Sequence, residues 1–142
     1  MEIFIVIIIL GIIAAIVVPK FSQASSESRL EGLVSDLQTV RSQIELYKIQ
    51  HKDLLPGQFA KGGTVDEYSF KVALTVKGSD GMGPYLKKIP KNYYLPNAKY
   101  RNSVTCVNDP KATPTGKDKT GWWFNVATGE FRANDSLYHA AY

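Results

Sequence analysis

The chain has 142 residues and a net charge of +4 at neutral pH, with 17 lysines and arginines against 13 aspartates and glutamates. This length fits one globular domain plus one further segment, and the single cysteine, Cys106, excludes an internal disulfide. We divide the chain into an apolar segment, residues 1–19, an amphipathic helical segment, residues 20–52, and a globular head, residues 53–142.

The first segment consists mainly of an apolar run, Ile3 to Val18, which lies between Glu2 and Pro19. Such a run lacks the polar face of a surface helix, and it is slightly short of the roughly 18 to 20 residues that cross a bilayer. A secretory signal peptide would begin with basic residues, whereas this run begins with an acid. An ordinary membrane anchor leaves Glu2 unexplained, because a carboxylate in a membrane helix normally has a partner.

Two residues weaken a helix within this segment. Gly11 costs about 1 kcal/mol relative to alanine. Pro19 removes a main-chain donor and clashes with the preceding turn, so we predict a kink there.

From Lys20 to about His51 the apolar residues recur every three or four positions, which predicts an amphipathic helix. Its apolar stripe, which we expect to face the head, consists of Leu30, Leu33, Leu37, Val40, Ile44 and Tyr47. Arg41 and Glu45 are one turn apart and are predicted to pair. Together with the apolar run, the helix would have about 50 residues and a length of roughly 75 Å. The sequence Asp53 to Gly57 is predicted to end it.

Residues 58–86 are predicted to be largely loop, with a short helix from Tyr68 to Val76. The glycines here lack the Lys-Ser or Lys-Thr that follows a phosphate-binding loop. Asp80 and Asp109 are candidate calcium ligands, but no dense cluster of Asp and Asn surrounds them, so we predict no metal site.

The C-terminal part contains strand patterns. Tyr100 to Val107 is predicted as one strand, and Gly121 to Val126 and Glu130 to Ala133 flank the turn Ala127-Thr128-Gly129 as a hairpin. A small antiparallel sheet packed on the long helix gives an α+β fold.

Positive charge is concentrated between Lys87 and Lys119, with eight lysines and arginines against two acids. Tyrosines interleave with these residues, which fits a single-stranded nucleic-acid surface. A solvated loop face, or a contact with acids of a neighbouring subunit, explains the same charge. The residues predicted to form this basic surface are Lys87, Lys88, Lys91, Lys99 and Arg101.

No combination of residues predicts catalysis or a cofactor. Cys106 would need a histidine and an orienting acid to act as a nucleophile, and a buried structural thiol is the alternative. His51 and His139 are isolated in the sequence, and no metal-ligand spacing occurs. We therefore predict that the chain is not an enzyme.

The run from Glu2 to Pro19 resembles the N-terminal signature of type IV pilins and type II secretion pseudopilins. The match includes the acid, Gly11, the pair Ala14-Ala15 and Pro19 at the spacing of that family. The resemblance implies a pilin fold and a helix that first holds the subunit in the inner membrane. It also implies that this helix then packs in the core of a helical filament of identical subunits, built by a pilus assembly machinery.

The resemblance also implies roles for three residues. The Glu2 carboxylate would meet the N-terminal amine of a neighbouring subunit, and a charge pair of this kind is costly to break. The helix between Gly11 and Pro19 would unwind on assembly. A prepilin peptidase would remove a leader and methylate the new N-terminus, and the site of these reactions lies before Met1.

A second segment, Gly83 to Pro90, resembles G-type pseudopilins or related bacterial pilins, although Lys91-Asn92-Tyr93-Tyr94 replaces the usual continuation of that family. G-type pseudopilins bind calcium in a C-terminal acidic loop. We expect a subunit of an extracellular type IV pilus-like filament. The alternatives are the major pseudopilin of a type II secretion system, in a periplasmic filament, and a DNA-uptake pilin.

Overall fold

The structure is a computed structural model that describes residues 2–117 and 119–142, with side chains for residues 3–15, 25–117 and 119–142. In chain order it contains α1 (Glu2–Gln50), α2 (Glu67–Thr75), β1 (Val104–Val107), β2 (Trp122–Asn125) and β3 (Phe131–Ala133). Single 3₁₀ turns lie at Ala98–Tyr100 and His139–Ala141. The chain divides into two compact units, Met1–Gly32 and Leu33–Tyr142. The three-part division made from the sequence stays a prediction.

The predicted long helix is present as α1, which is helical through both Gly11 and Pro19. The kink at Pro19 stays a prediction, since the side chain of Pro19 lies outside the described residues. Within the part of the chain that the structure describes, no helix combines the length and the apolarity needed to cross a membrane. α1 ends at Gln50, close to the predicted end, and is followed by Lys52 and Asp53 in the left-handed region with φ of 55° and 64°.

From Leu33 to Ile44 the apolar stripe of α1 belongs to the core of the second unit. Leu33, Leu37, Val40 and Ile44 are at most 3% exposed, while the end residues of the stripe, Leu30 and Tyr47, are half-buried. The remaining large core residues come from α2 and the strands, and the most buried are Phe70, Leu74, Val104, Trp122, Trp123, Phe124, Val126 and Phe131.

The predicted short helix is confirmed as α2. Asp66 precedes it with an extended backbone, and its carboxylate accepts a 2.7 Å hydrogen bond from the Ser69 amide. This is the contact by which an aspartate caps the start of a helix. Phe70 and Leu74, one turn apart, bury the inner face of α2.

The α+β class and the β2–β3 hairpin are confirmed, but the sheet is mixed rather than wholly antiparallel. The strand order is β1-β2-β3, in which β2 pairs antiparallel with β3 and parallel with β1. The segment 108–121 between β1 and β2 supplies the crossover of about a dozen residues that a parallel pair requires. β1 is also shorter than predicted, because residues 98–103 form a 3₁₀ helix and a turn.

A close main-chain approach joins the start of β2 to the segment before β1. Gly121 donates from its amide to the Tyr100 carbonyl at 3.0 Å, and a side chain at Gly121 would collide with the Arg101 carbonyl. Glycine is therefore required at this position.

Candidate functional site

The most extensive candidate surface is the N-terminal part of α1. Every described side chain from Ile3 to Ala15 is exposed, and the large apolar ones are between 50 and 77% exposed. Monomeric soluble proteins rarely expose a continuous apolar patch of more than a few hundred Å², and larger ones mark protein or membrane contacts. Residues 3–15 are therefore a candidate interaction surface, which we call the apolar surface of α1.

The three predicted assembly residues belong to this part of the helix. Gly11 lies in the apolar surface, and nothing stands within 4 Å of the space that a side chain there would occupy. The side chains of Glu2 and Pro19 lie outside the described residues, so the charge-partner role of Glu2 and the unwinding between Gly11 and Pro19 stay predictions.

The basic surface stays a prediction, and the structure gives only the exposure of its five residues. Lys87, Lys88, Lys91 and Lys99 are exposed. Arg101 is half-buried and has a structural role, because its Nε donates to the Leu95 carbonyl at 2.9 Å and its guanidinium lies over the Tyr93 ring at 5.3 Å.

The main chain holds these lysines on a fixed segment of the head. Leu86, Ile89 and Asn92 are buried and alternate with the exposed lysines. Trp122 donates from its indole to the Pro90 carbonyl at 2.9 Å. The Asn92 amide donates to the Arg101 carbonyl at 2.9 Å, so the segment carrying Lys91 runs beside the segment carrying Arg101.

The two histidines, although isolated in the sequence, each lie beside an aspartate in the structure. His51 Nε2 lies 3.0 Å from an Asp80 oxygen, and its Nδ1 contacts the Tyr47 carbonyl at 2.9 Å. The second pair is formed by His139 Nδ1 and Asp135. Because His51 and Asp80 are far apart in the sequence, no local motif indicates the first pair, whereas the spacing of four residues indicates the second.

Asp135 is also tied to the core by a buried amide. Asn92 is 1% exposed, and its Nδ2 donates to an Asp135 oxygen at 2.5 Å and to the Gly121 carbonyl at 2.9 Å. The Asp135 carboxylate therefore connects the segment that carries Lys91 to the C-terminal segment, and this contact has a structural role.

The candidate nucleophile and metal ligands have structural positions. Burial, followed by the charges of Glu67 and Asp66, raises the pKa of the Cys106 thiol to about 12, which disfavours the reactive thiolate. Asp80 and Asp109 accept hydrogen bonds from the amides of Met82 and Lys111 within their own turns. Among the described side chains, no group of three or more His, Cys, Asp or Glu residues could hold a metal ion.

One important side chain was assigned wrongly from the sequence. Arg41 does not pair with Glu45, which lies 3.7 Å from Lys48 instead. Its Nε donates to the Phe131 carbonyl at 2.9 Å and its Nη1 donates to the Tyr142 carbonyl at 2.8 Å. Arg41 lines a groove of about 360 Å³ together with residues of β3 and the C-terminal segment.

Comparison with characterised proteins gives one informative similarity. The chain is 25% identical over 135 residues to the type II secretion system core protein G of Dickeya chrysanthemi, a match that covers 91% of this chain and 86% of the relative. No family model and no solved structure matches the chain.

The N-terminal signature, the α+β head and this similarity along most of the chain agree. Along most of its length the chain is similar to a type II secretion pseudopilin, in accord with the resemblance of its N-terminal run to type IV pilins and pseudopilins.

Proposed function

We propose that this chain is a structural subunit that polymerises through its N-terminal helix into a helical filament of identical copies. The observation that carries the proposal is the apolar surface of α1, where side chains from Ile3 to Ile13 are at least half exposed. Removing an exposed apolar surface of this kind from water is favourable, by about 25 cal/mol per Å². Helix packing in a filament core, or residence in the inner membrane before assembly, provides that burial.

In this proposal Glu2 sets the position of each incoming subunit. A carboxylate in an apolar filament core is tolerated when a cation faces it, and the N-terminal amine of a neighbouring copy would supply that cation. The unwinding of α1 between Gly11 and Pro19 would accompany the same step. A prepilin peptidase and the filament assembly machinery act before and during assembly.

The kind of filament is the second part of the proposal. The similarity to a core protein of a type II secretion system favours a periplasmic pseudopilus over an extracellular pilus. In either filament the role is structural rather than catalytic, and burial, which raises the pKa of the Cys106 thiol, disfavours its use as a nucleophile.

The proposal is tested by Glu2→Leu in a host that assembles the wild-type chain. The amount of subunit in the inner membrane should stay unchanged, since the substitution makes the helix more apolar. The assembled fraction should fall more than tenfold, because an uncompensated buried charge costs about 3 to 5 kcal/mol. Immunoblots of membrane and sheared fractions, with electron microscopy of the latter, measure both quantities.

Two further variants serve as controls. Glu2→Asp keeps the charge and should keep assembly, and Glu45→Leu makes the same change at an exposed position on the same helix. An unchanged filament yield for Glu2→Leu would contradict the role of Glu2. Long sheared fibres composed of this chain would favour the pilus, whereas retention in the inner-membrane fraction would favour the pseudopilus.

A further inference from the structure

The acids and the lysines of the head differ in whether they have partners within their own chain. Each described acid between residues 66 and 135 already has a partner in its own chain. Glu67, Asp80, Glu130 and Asp135 form ion pairs, and Asp66 and Asp109 accept main-chain hydrogen bonds. Among the described residues, none of these acids forms an ion pair with Lys87, Lys88 or Lys91.

The lysines of the basic surface, by contrast, have no ion-pair partner among the residues that the structure describes. Among the described residues, Lys87, Lys88 and Lys91 form no ion pair, although all three are exposed. They are also held in place, because the buried residues Leu86 and Ile89 fix the main chain between them. A fixed positive surface without internal neutralisation is suited to an acidic partner.

The same chain carries a pair of exposed acids on α1. Glu27 and Glu31 are exposed on α1 and are one helical turn apart. Like charges at this spacing destabilise a helix, and within the described part of the chain neither glutamate forms an ion pair. Arg29 lies between them in sequence but points to a different side of the helix.

The basic and the acidic residues form two different patches of the chain, and this affects the kind of assembly they can build. A contact between two different patches of identical copies is heterologous, and when its rotation does not close into a ring it propagates as an open helical filament. A self-complementary patch would instead close into a dimer. Separate acidic and basic surfaces on one chain therefore fit a filament subunit.

We propose that Lys87, Lys88 and Lys91 of one copy bind the Glu27–Glu31 pair of another copy in the filament. This inference rests on the proposed function and names a second contact, in addition to the packing of the apolar surface of α1. Such a contact sets which neighbours meet and in which register, while burial of the apolar helix supplies most of the binding free energy.

The test is a charge exchange in the full-length chain. One variant carries Lys87→Glu, Lys88→Glu and Lys91→Glu, a second carries Glu27→Lys and Glu31→Lys, and a third combines all five substitutions. Each of the first two should lower the assembled fraction on the order of tenfold, and the combined variant should recover most of it, because coupled sites are strongly non-additive. Sheared filaments are quantified as for Glu2→Leu.

The matched control makes the same change of charge elsewhere in the basic region. Lys111→Glu, Lys117→Glu and Lys119→Glu should leave the assembled fraction near that of the wild type. Urea unfolding followed by tryptophan fluorescence verifies that every variant has a folded head, since Trp122 and Trp123 are buried in it.

Three outcomes would overturn the inference. They are no loss on reversing the lysines, no recovery in the combined variant, or equal damage from the control set. Normal assembly together with lost binding of a labelled single-stranded oligonucleotide would assign the lysines to nucleic acid instead. Failure of the wild-type chain to form filaments would overturn the proposed function as well, and this distinguishes the two failures.

Discussion

Arg41 shows how a single side chain connects segments that are far apart in the sequence. Its guanidinium donates to the carbonyls of Phe131 and Tyr142, which are 90 and 101 residues away. The helical spacing predicted a pair with Glu45 because that rule uses sequence neighbours alone. Main-chain carbonyls exist at every position, so no residue type in the sequence identifies those that Arg41 contacts.

We expect Arg41→Met to lower the free energy of unfolding by about 1.5 to 3 kcal/mol, the range for hydrogen bonds to a charged group. Methionine keeps much of the aliphatic stem, so the loss reports on the donated hydrogen bonds. Urea unfolding of the full-length chain in detergent, followed by tryptophan fluorescence, measures it. Arg29→Met, at an exposed position of the same helix, should change stability by less than about 0.5 kcal/mol. Equal effects of the two substitutions would contradict the role of Arg41.

At the level of elements, α1 was predictable and the sheet was only partly so. The burial of Leu33, Leu37, Val40 and Ile44 follows from their spacing, because a 3.6-residue period puts them on one side of a helix. The hairpin β2–β3 follows from a short turn between two apolar runs. The parallel pairing of β1 with β2 depends on the path of residues 108–121, and no local residue pattern specifies that path.

Two leucines of α1 give a matched test of the core. Leu37 is 1% exposed and Leu46 is 40% exposed. Leu37→Ala should lower the free energy of unfolding by about 2 to 5 kcal/mol through lost burial and a cavity. Leu46→Ala removes the same atoms from a half-solvated site and should cost much less. The urea midpoints of the two variants measure these losses of stability. Similar midpoints would mean that α1 is not packed as described.

For the molecule as a whole, the acids of the head link stability to pH. Hydrogen bonding by Met82 and the nearby His51 lower the pKa of Asp80, and hydrogen bonds involving Ser69 lower that of Asp66. Burial acts to raise the pKa of Glu67, but hydrogen bonds from Lys71 and the Val104 amide outweigh it and the net shift is downward. Burial raises the pKa of Asp36, which acts in the opposite direction.

A carboxylate with a lowered pKa in the folded state stabilises the fold above its unfolded pKa, and this stabilisation is lost as the pH falls through the folded pKa. Because three of these four shifts are downward, we expect stability to decrease on acidification from pH 7 to about pH 3, below the ordinary range of Asp and Glu. Urea midpoints at the two pH values measure the change. Asp80→Asn should reduce the difference between them, and a chain that is as stable at the lower pH would contradict this assignment.

The parts of the candidate site that depend on local sequence could be predicted, and those that depend on tertiary contacts could not. The apolar surface of α1 and its acid are consecutive in sequence, so the resemblance to the pilin and pseudopilin signature around Glu2, Gly11 and Pro19 is visible without the structure. The exposure of Lys87, Lys88 and Lys91 also follows from local patterns. The structural role of Arg101 and the pairing of His51 with Asp80 depend on tertiary contacts, and these were not predicted.

The short outer strands of the sheet have a consequence for crowded assemblies. β1 has four residues and β3 has three, and both lie at the edges of the sheet on either side of β2. A long exposed edge strand recruits strands from other molecules and starts amyloid-like aggregation, whereas a short one offers few unpaired main-chain groups. Heads at high local concentration can therefore remain separate folded domains rather than joining through their sheets.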